Sequence, residues 1–102
     1  MKVYDMNRPK DIGKWGIMRY YYLRDFDQKV FTELVQRGEL QNHLRTIDRQ
    51  ARGRMNTLMT QGMESRRITE DLKRRDQMEW VRQMNNLQNA TEENIKHELI
   101  YC

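Results

Sequence analysis

DQMEWVRQMNN, residues 76 to 86, carries one of the chain's two tryptophans and the start of an apolar row that needs covering. The row runs Trp80, Met84, Leu87, Thr91, Ile95 and Leu99. Its steps of three and four residues hold one side of a helix with 3.6 residues per turn. Val81 widens the stripe and Leu72 extends it upstream, while Lys73, Arg74, Glu79, Arg82, Asn86, Glu93 and Lys96 fall opposite. A one-sided stripe must pack on something. The expected fold is therefore all-α: a compact bundle of about four helices, the last one long, with Trp80 and the methionines filling its core.

Upstream, Leu40, Leu44, Ile47, Ala51, Met55 and Leu58 keep the same period and predict a third helix over 39–62. Gly53 lies off that stripe, costs about 1 kcal/mol relative to alanine, and is expected to mark a bend or a close crossing. Gly62 to Arg67 reads as the turn into the fourth helix, with Thr69 as its N-cap and Glu70 and Asp71 suiting the positive helix end. Asn85, Asn86 and Asn89 weaken that helix in the middle, which leaves open a second start at Thr91. A second helix over 28–37 starts at an Asp27 cap, buries Val30 and Leu34, and ends at Gly38, which adopts the left-handed conformation cheaply. A first helix over 12–24 starts at an Asp11 cap and buries Ile12, Trp15, Met18 or Arg19, Tyr22 and Phe26. Gly13 and Gly16 there permit another backbone to come close. Of Tyr20, Tyr21 and Tyr22, at least one must face solvent or a partner. Residues 1–10 read as an N-terminal arm restrained by Pro9, and residues 11–102 as a single helical domain.

A chain of 102 residues, 37% apolar and 33% charged, makes one small domain with a modest core. Stability of ~5–15 kcal/mol is expected, and a homodimer that buries part of the stripe is left open. The opening MKVYDMNRPK lacks the apolar core of a signal peptide, and no run approaches the ~18–20 apolar residues of a membrane span. A cytoplasmic protein without a membrane partner is expected. The single cysteine, Cys102, has no internal disulfide partner.

Function must come from charge placement. Between residues 45 and 82 lie ten basic and six acidic residues, a local excess equal to the net +4 of the whole chain. Arg45, Arg49 and Arg52 share one side of the third helix, and Arg66, Arg67, Lys73, Arg74 and Arg75 follow around the next turn. Antiparallel packing of helices three and four would gather these groups at a shared end. The arginine fork suits phosphate oxygens, so Arg45, Arg49, Arg52, Arg66, Arg67 and Arg74 form a candidate nucleic-acid face. The plain alternative is a solvated face laced with pairs such as Arg45–Asp48 and Arg75–Glu79. Helix two, Gly38 and helix three are weakly similar to a helix-turn-helix, but Leu34 fills the crossing position and the third helix is too long. His43 and His97 have no ligand set at metal spacing, and no nucleophile, P-loop or dinucleotide motif is present. Neither an enzyme nor a cofactor is expected.

Three blocks taken together, IGKWGIMRYYYL at 12–23, ELVQRGELQNHLRTID at 33–48 and DQMEWVRQMNN at 76–86, followed by HELIY at 97–101, resemble the TnpV family. Those are small proteins carried by transposons and other mobile elements. The resemblance implies genomic company more than mechanism, and it supplies no catalytic or DNA-contacting residues. Two functions of different class follow. One is a nucleic-acid-binding regulator or helper of transposition or excision, with DNA or a nucleoprotein complex as partner. The other is a protein-binding inhibitor of a host defence nuclease, anti-CRISPR-like and blocking a Cas effector, with Trp15, Tyr20 and Tyr21 as interface anchors. A DNA binder should collect Arg45, Arg49, Arg52 and Arg66 on one open face, whereas an inhibitor should expose an aromatic or Met-rich patch rimmed by charge.

Overall fold

The computed structural model describes residues 11–102, so the arm expected at 1–10 lies outside the described residues. The chain folds as a helical bundle: α1 Lys14–Phe26, α2 Gln28–Gln36, α3 Leu40–Ser65, α4 Glu70–Arg75 and α5 Gln77–Ile95, closed by a π-helical turn over Lys96–Ile100. No strand occurs among the described residues. The expected fourth helix is divided in two. Asp76 ends α4 and at once caps α5, its Oδ1 accepting the Glu79 N–H at 3.1 Å. The asparagines leave α5 unbroken, and no second start occurs at Thr91.

The other helix ends follow from side-chain chemistry. Asp27 caps α2 by accepting the Val30 N–H, and Thr69 Oγ1 caps α4 by accepting the Leu72 N–H at 3.1 Å. Two helices end in the same double hydrogen-bond pattern, one at Gly38 and one at Arg67. At the end of α2 the Glu39 N–H reaches Leu34 O and the Gly38 N–H reaches Val35 O; at the end of α3 the Ile68 N–H reaches Met63 O and the Arg67 N–H reaches Glu64 O. Gly38 sits at φ 70° and Arg67 at φ 54°. The helix predicted to stop at Gly62 therefore continues to Ser65.

Helices α3 and α5 run antiparallel, with Gly62 facing Leu87 and Ala51 grouped with Ile95. A Cβ on Gly62 would fall 2.3 Å from Leu87 Cδ1, so this glycine permits the crossing that Gly53 was expected to provide. Leu87, Thr91 and Ile95 are buried as the stripe requires, and Trp80, Met84 and Leu99 are half-buried. Val81 does not join them and stays on the outside. The last stripe position is extended by the π turn, where the Tyr101 N–H bonds to Lys96 O at 2.8 Å. Five residues of ordinary α-helix would put Ile100 about 140° round from Ile95. The wider turn lets both reach the core, fully buried.

Helix α1 lies against α3 and joins two apolar groups. Trp15 packs with Ala51, Ile95 and Ile100, and Tyr20 with Leu40 and Leu44. The buried side of α1 is Trp15, Gly16, Arg19, Tyr20 and Leu23, one step round from the expected row. Phe26, expected inside, is 78% exposed. Trp15 and Tyr20, expected as surface anchors, are 4% and 0% exposed and belong to the core. The cause is Arg19. Its Nη1 donates to Ile100 O and Cys102 O, both at 2.9 Å, and its Nε donates to His43 Nε2 at 3.3 Å. A guanidinium with these acceptors can be buried, and its neighbours Tyr20 and Leu23 turn inward with it.

Candidate nucleic-acid interface

The side of α3 that faces away from α1 and α5 carries Arg45, Arg49 and Arg52, all exposed, with Asn42, Asn56 and Thr60 beside them. From Leu40 to Met63 the chain has four arginines and one carboxylate, Asp48. That carboxylate is buried and points inward, where its Oδ1 accepts the Gly16 N–H at 3.1 Å. Gly16 is the third residue of α1, whose N-cap Gly13 has no side chain to offer. Asp48 thus supplies from α3 the cap that α1 lacks, placing a negative charge at its positive end. The two glycines make room for it. A Cβ on Gly13 would lie 2.7 Å from Asp48 Oδ1, and one on Gly16 2.9 Å from Leu44 O.

Asp48 also ties one arginine of the row, with its Oδ2 3.1 Å from Arg52 Nε. The Arg45–Asp48 pair expected of a solvated face is therefore replaced by Arg52–Asp48. Arg45 and Arg49 have no ion pair among the described residues. Arg54, off the row, pairs with Glu98 at 3.1 Å, which raises its pKa above the usual arginine value through that hydrogen bond.

The remaining candidates do not join this row. Arg66 lies 21 residues beyond Arg45, which is roughly 31 Å of helix at 1.5 Å per residue. Arg66 and Arg67 are exposed on the α3–α4 turn with no ion pair among the described residues. Arg74 and Arg75 both engage Asp71, at 3.5 and 2.9 Å, in place of the expected Arg75–Glu79 pair. Glu79 is taken by Arg82 and Gln83, whose hydrogen bonds hold its carboxyl below the usual range. The groups expected at a shared end are thus split. Residues 66–75 gather at the α3–α4 turn, while Arg45 to Arg52 lie toward the end that packs on α1.

His43 is a structural acceptor rather than a ligand. Its pKa is lowered, chiefly by burial and then by the positive charge of Arg19. Among the described residues no group of three or more His, Cys, Asp or Glu side chains is placed to hold a metal ion. No described helix is long and apolar enough to cross a membrane.

Fold and surface together define a small helical protein that carries three exposed arginines in a row on α3, the longest of the described helices. The family model described as transposon-encoded protein TnpV matches residues 1–100, and the chain belongs to that family. The match starts before Ile12 and so takes in the segment the three sequence blocks omit. No curated protein and no solved structure matches the chain.

Proposed function

We propose that the chain is a nucleic-acid-binding accessory protein of its mobile element, a regulator or helper of transposition or excision that acts by binding rather than by catalysis. The observation that carries this reading is the outer side of α3, where Arg45, Arg49 and Arg52 stand exposed and the only nearby carboxylate of the helix is turned into the core. Phosphate contacts of this kind position a protein on a duplex without reading its sequence. Each neutralised phosphate adds about 0.9 to the slope of log affinity against log salt. Fluorescence anisotropy with duplex DNA, including the ends of the element, tests the reading across a salt series. The R45A/R49A/R52A variant should keep its helicity, bind more weakly and lose about 2.7 from that slope. Unchanged affinity in this variant rejects the arginine row.

A second reading, a protein-directed inhibitor of a host defence nuclease, rests on different surface. Trp15 and Tyr20 cannot anchor it, being inside. At the α4–α5 end, however, Met78 is 85% and Val81 42% exposed, and the buried Trp80 Nε1–H has no acceptor among the described residues. Lys73 stacks over the Trp80 ring at 4.6 Å, and the Arg74–Asp71 and Arg82–Glu79 pairs lie on the same two helices, so the patch is apolar with a charged rim. Absence of DNA binding at low salt, with capture of a nuclease that is lost in M78D/V81D, would favour this reading over the first.

A further inference from the structure

We propose that Gly53 is the point at which the phosphodiester backbone of a bound duplex lies directly against α3, an inference that rests on reading the arginine row as the nucleic-acid face. Helix α3 contains two interior glycines, and the structure accounts for only one. A Cβ at Gly62 would collide with Leu87 at 2.3 Å, so packing against α5 requires glycine there. A Cβ at Gly53 would meet no atom of the described residues within 4 Å. Nor does conformation require it, since among the described glycines only Gly38 has a positive φ. The helix runs unbroken from Leu40 to Ser65, so Gly53 does not divide it. A glycine that serves neither conformation nor internal packing leaves the helix backbone open to close approach from outside.

What approaches is specified by the surroundings. On the helix surface Gly53 adjoins Arg49 at i−4 and Asn56 at i+3, with Arg52 beside it in the chain. The nearest carboxylate of α3 is Asp48, buried under Arg52. The Gly53 carbonyl, the local group that would repel an anion, already accepts a hydrogen bond from Thr57 Oγ1 at 3.2 Å. A polyanion resting here would have the Arg49 and Arg52 guanidinium groups on one side and the Asn56 side-chain amide on the other, and a phosphodiester chain meets those requirements. A single small anion has no need of an open strip of helix backbone running alongside three arginines.

The test compares G53A, G53L and R45A/R49A/R52A in the full chain, using anisotropy with the same duplex at fixed and varied salt. G53A should raise Tm by a few degrees, because alanine favours the helix and meets no neighbour. It should nevertheless bind DNA about threefold more weakly, and G53L at least tenfold more weakly, with circular dichroism unchanged. This opposition between stability and affinity is not produced by a merely structural glycine. If both glycine variants bind as tightly as the parent while the arginine variant loses affinity, the close approach is wrong and the arginine row stands. If the arginine variant binds normally, the row and the proposal fall together, whatever the glycine variants do.

Discussion

At the scale of single residues, two polar groups, Asp48 buried and His43 half-buried, hold the packed end of the molecule, and each has a measurable signature. Asp48 accepts the Gly16 N–H and pairs with Arg52. Hydrogen bonds to a charged group contribute about 1.5–3 kcal/mol net, and their loss leaves the Gly16 donor unsatisfied. D48A should therefore cost about 2–3 kcal/mol in denaturant unfolding, whereas R52A, removing the exposed partner, should cost under about 1 kcal/mol. Equal losses would show that the Arg52 pair, not the cap on α1, is the important contact. The second group is His43, which accepts the Arg19 Nε–H and is held neutral by burial and by the Arg19 charge. Its folded pKa lies below its ordinary 6.5, so the unfolded chain binds more protons between those two values. The His43 contribution is complete above pH 6.5, is lost as pH falls from 6.5 to the folded pKa, and changes no further below it. Protonation at Nε2 would remove the acceptor and set two cations together. The Glu92 carboxyl, held low by its Lys14 hydrogen bond, adds its own loss only below about pH 4.5. Unfolding curves between pH 7.5 and 5 should show this slope in the parent and a flatter one in H43Q. A flat parent would mean that His43 protonates without cost. Neither group was legible in the sequence. Arg19 is buried by acceptors more than 80 positions away, at Ile100 and Cys102, and no local periodicity carries that information. Reading Arg19 as optional core is what turned Phe26 inward and Tyr20 outward in the expectation.

Among the elements, those set by local chemistry were legible and those set by crossings were not. The stripes of α3 and α5, the caps at Asp27 and Thr69, and the stop at Gly38 all follow from residues within a turn of one another. The break at Asp76 also had a local sign, an Asp followed at three residues by Glu79, which is the pattern of a capping box. The continuous apolar row outweighed it because a six-residue helix and its successor can share one face. Gly53 and Gly62 look alike in sequence, and only the position of Leu87 separates them. The end of α3 gives a direct test. Arg67 occupies the left-handed position that glycine fills at Gly38, and a non-glycine residue there carries a cost of roughly 1–2 kcal/mol. R67G should therefore stabilise the protein by about 0.5–1.5 kcal/mol, and G38A should destabilise it by about as much. A loss of stability in R67G would mean that the Arg67 side chain makes a contact worth more than its backbone strain. Because Arg67 is exposed without an ion pair among the described residues, the gain is the expected result.

The whole molecule measures 55 × 29 × 22 Å, long for its size because α3 and α5 extend past α1 and α2. Its core is correspondingly uneven. The largest fully buried side chains, Tyr20, Leu23, Leu44, Ile95 and Ile100, all lie where α1 meets the start of α3 and the end of α5. The other end depends on Ile68 and Leu87, α4 has no buried residue, and Met78 stands in solvent. Local opening requires least free energy where the fewest apolar contacts are broken. Native-state hydrogen exchange should therefore show amides of 70–84 opening well below the global free energy, and those of 15–23 and 40–51 close to it. The two ends would then differ in function as well as stability. The arginine row at 45–52 sits on the well-packed end, so its spacing is held before any ligand arrives, and binding there loses little to ordering. The Met78–Val81 end would have to be ordered by whatever covers it. Uniform protection along the chain would remove that distinction, since both surfaces would then be equally preformed. Strong protection at 70–84 combined with weak protection at 40–51 would reverse it and shift the rigid surface to the apolar patch. Exchange repeated with saturating duplex should leave 70–84 unchanged while slowing the amides around Gly53. Protection appearing instead at 70–84 would place the ligand on α4 and the start of α5.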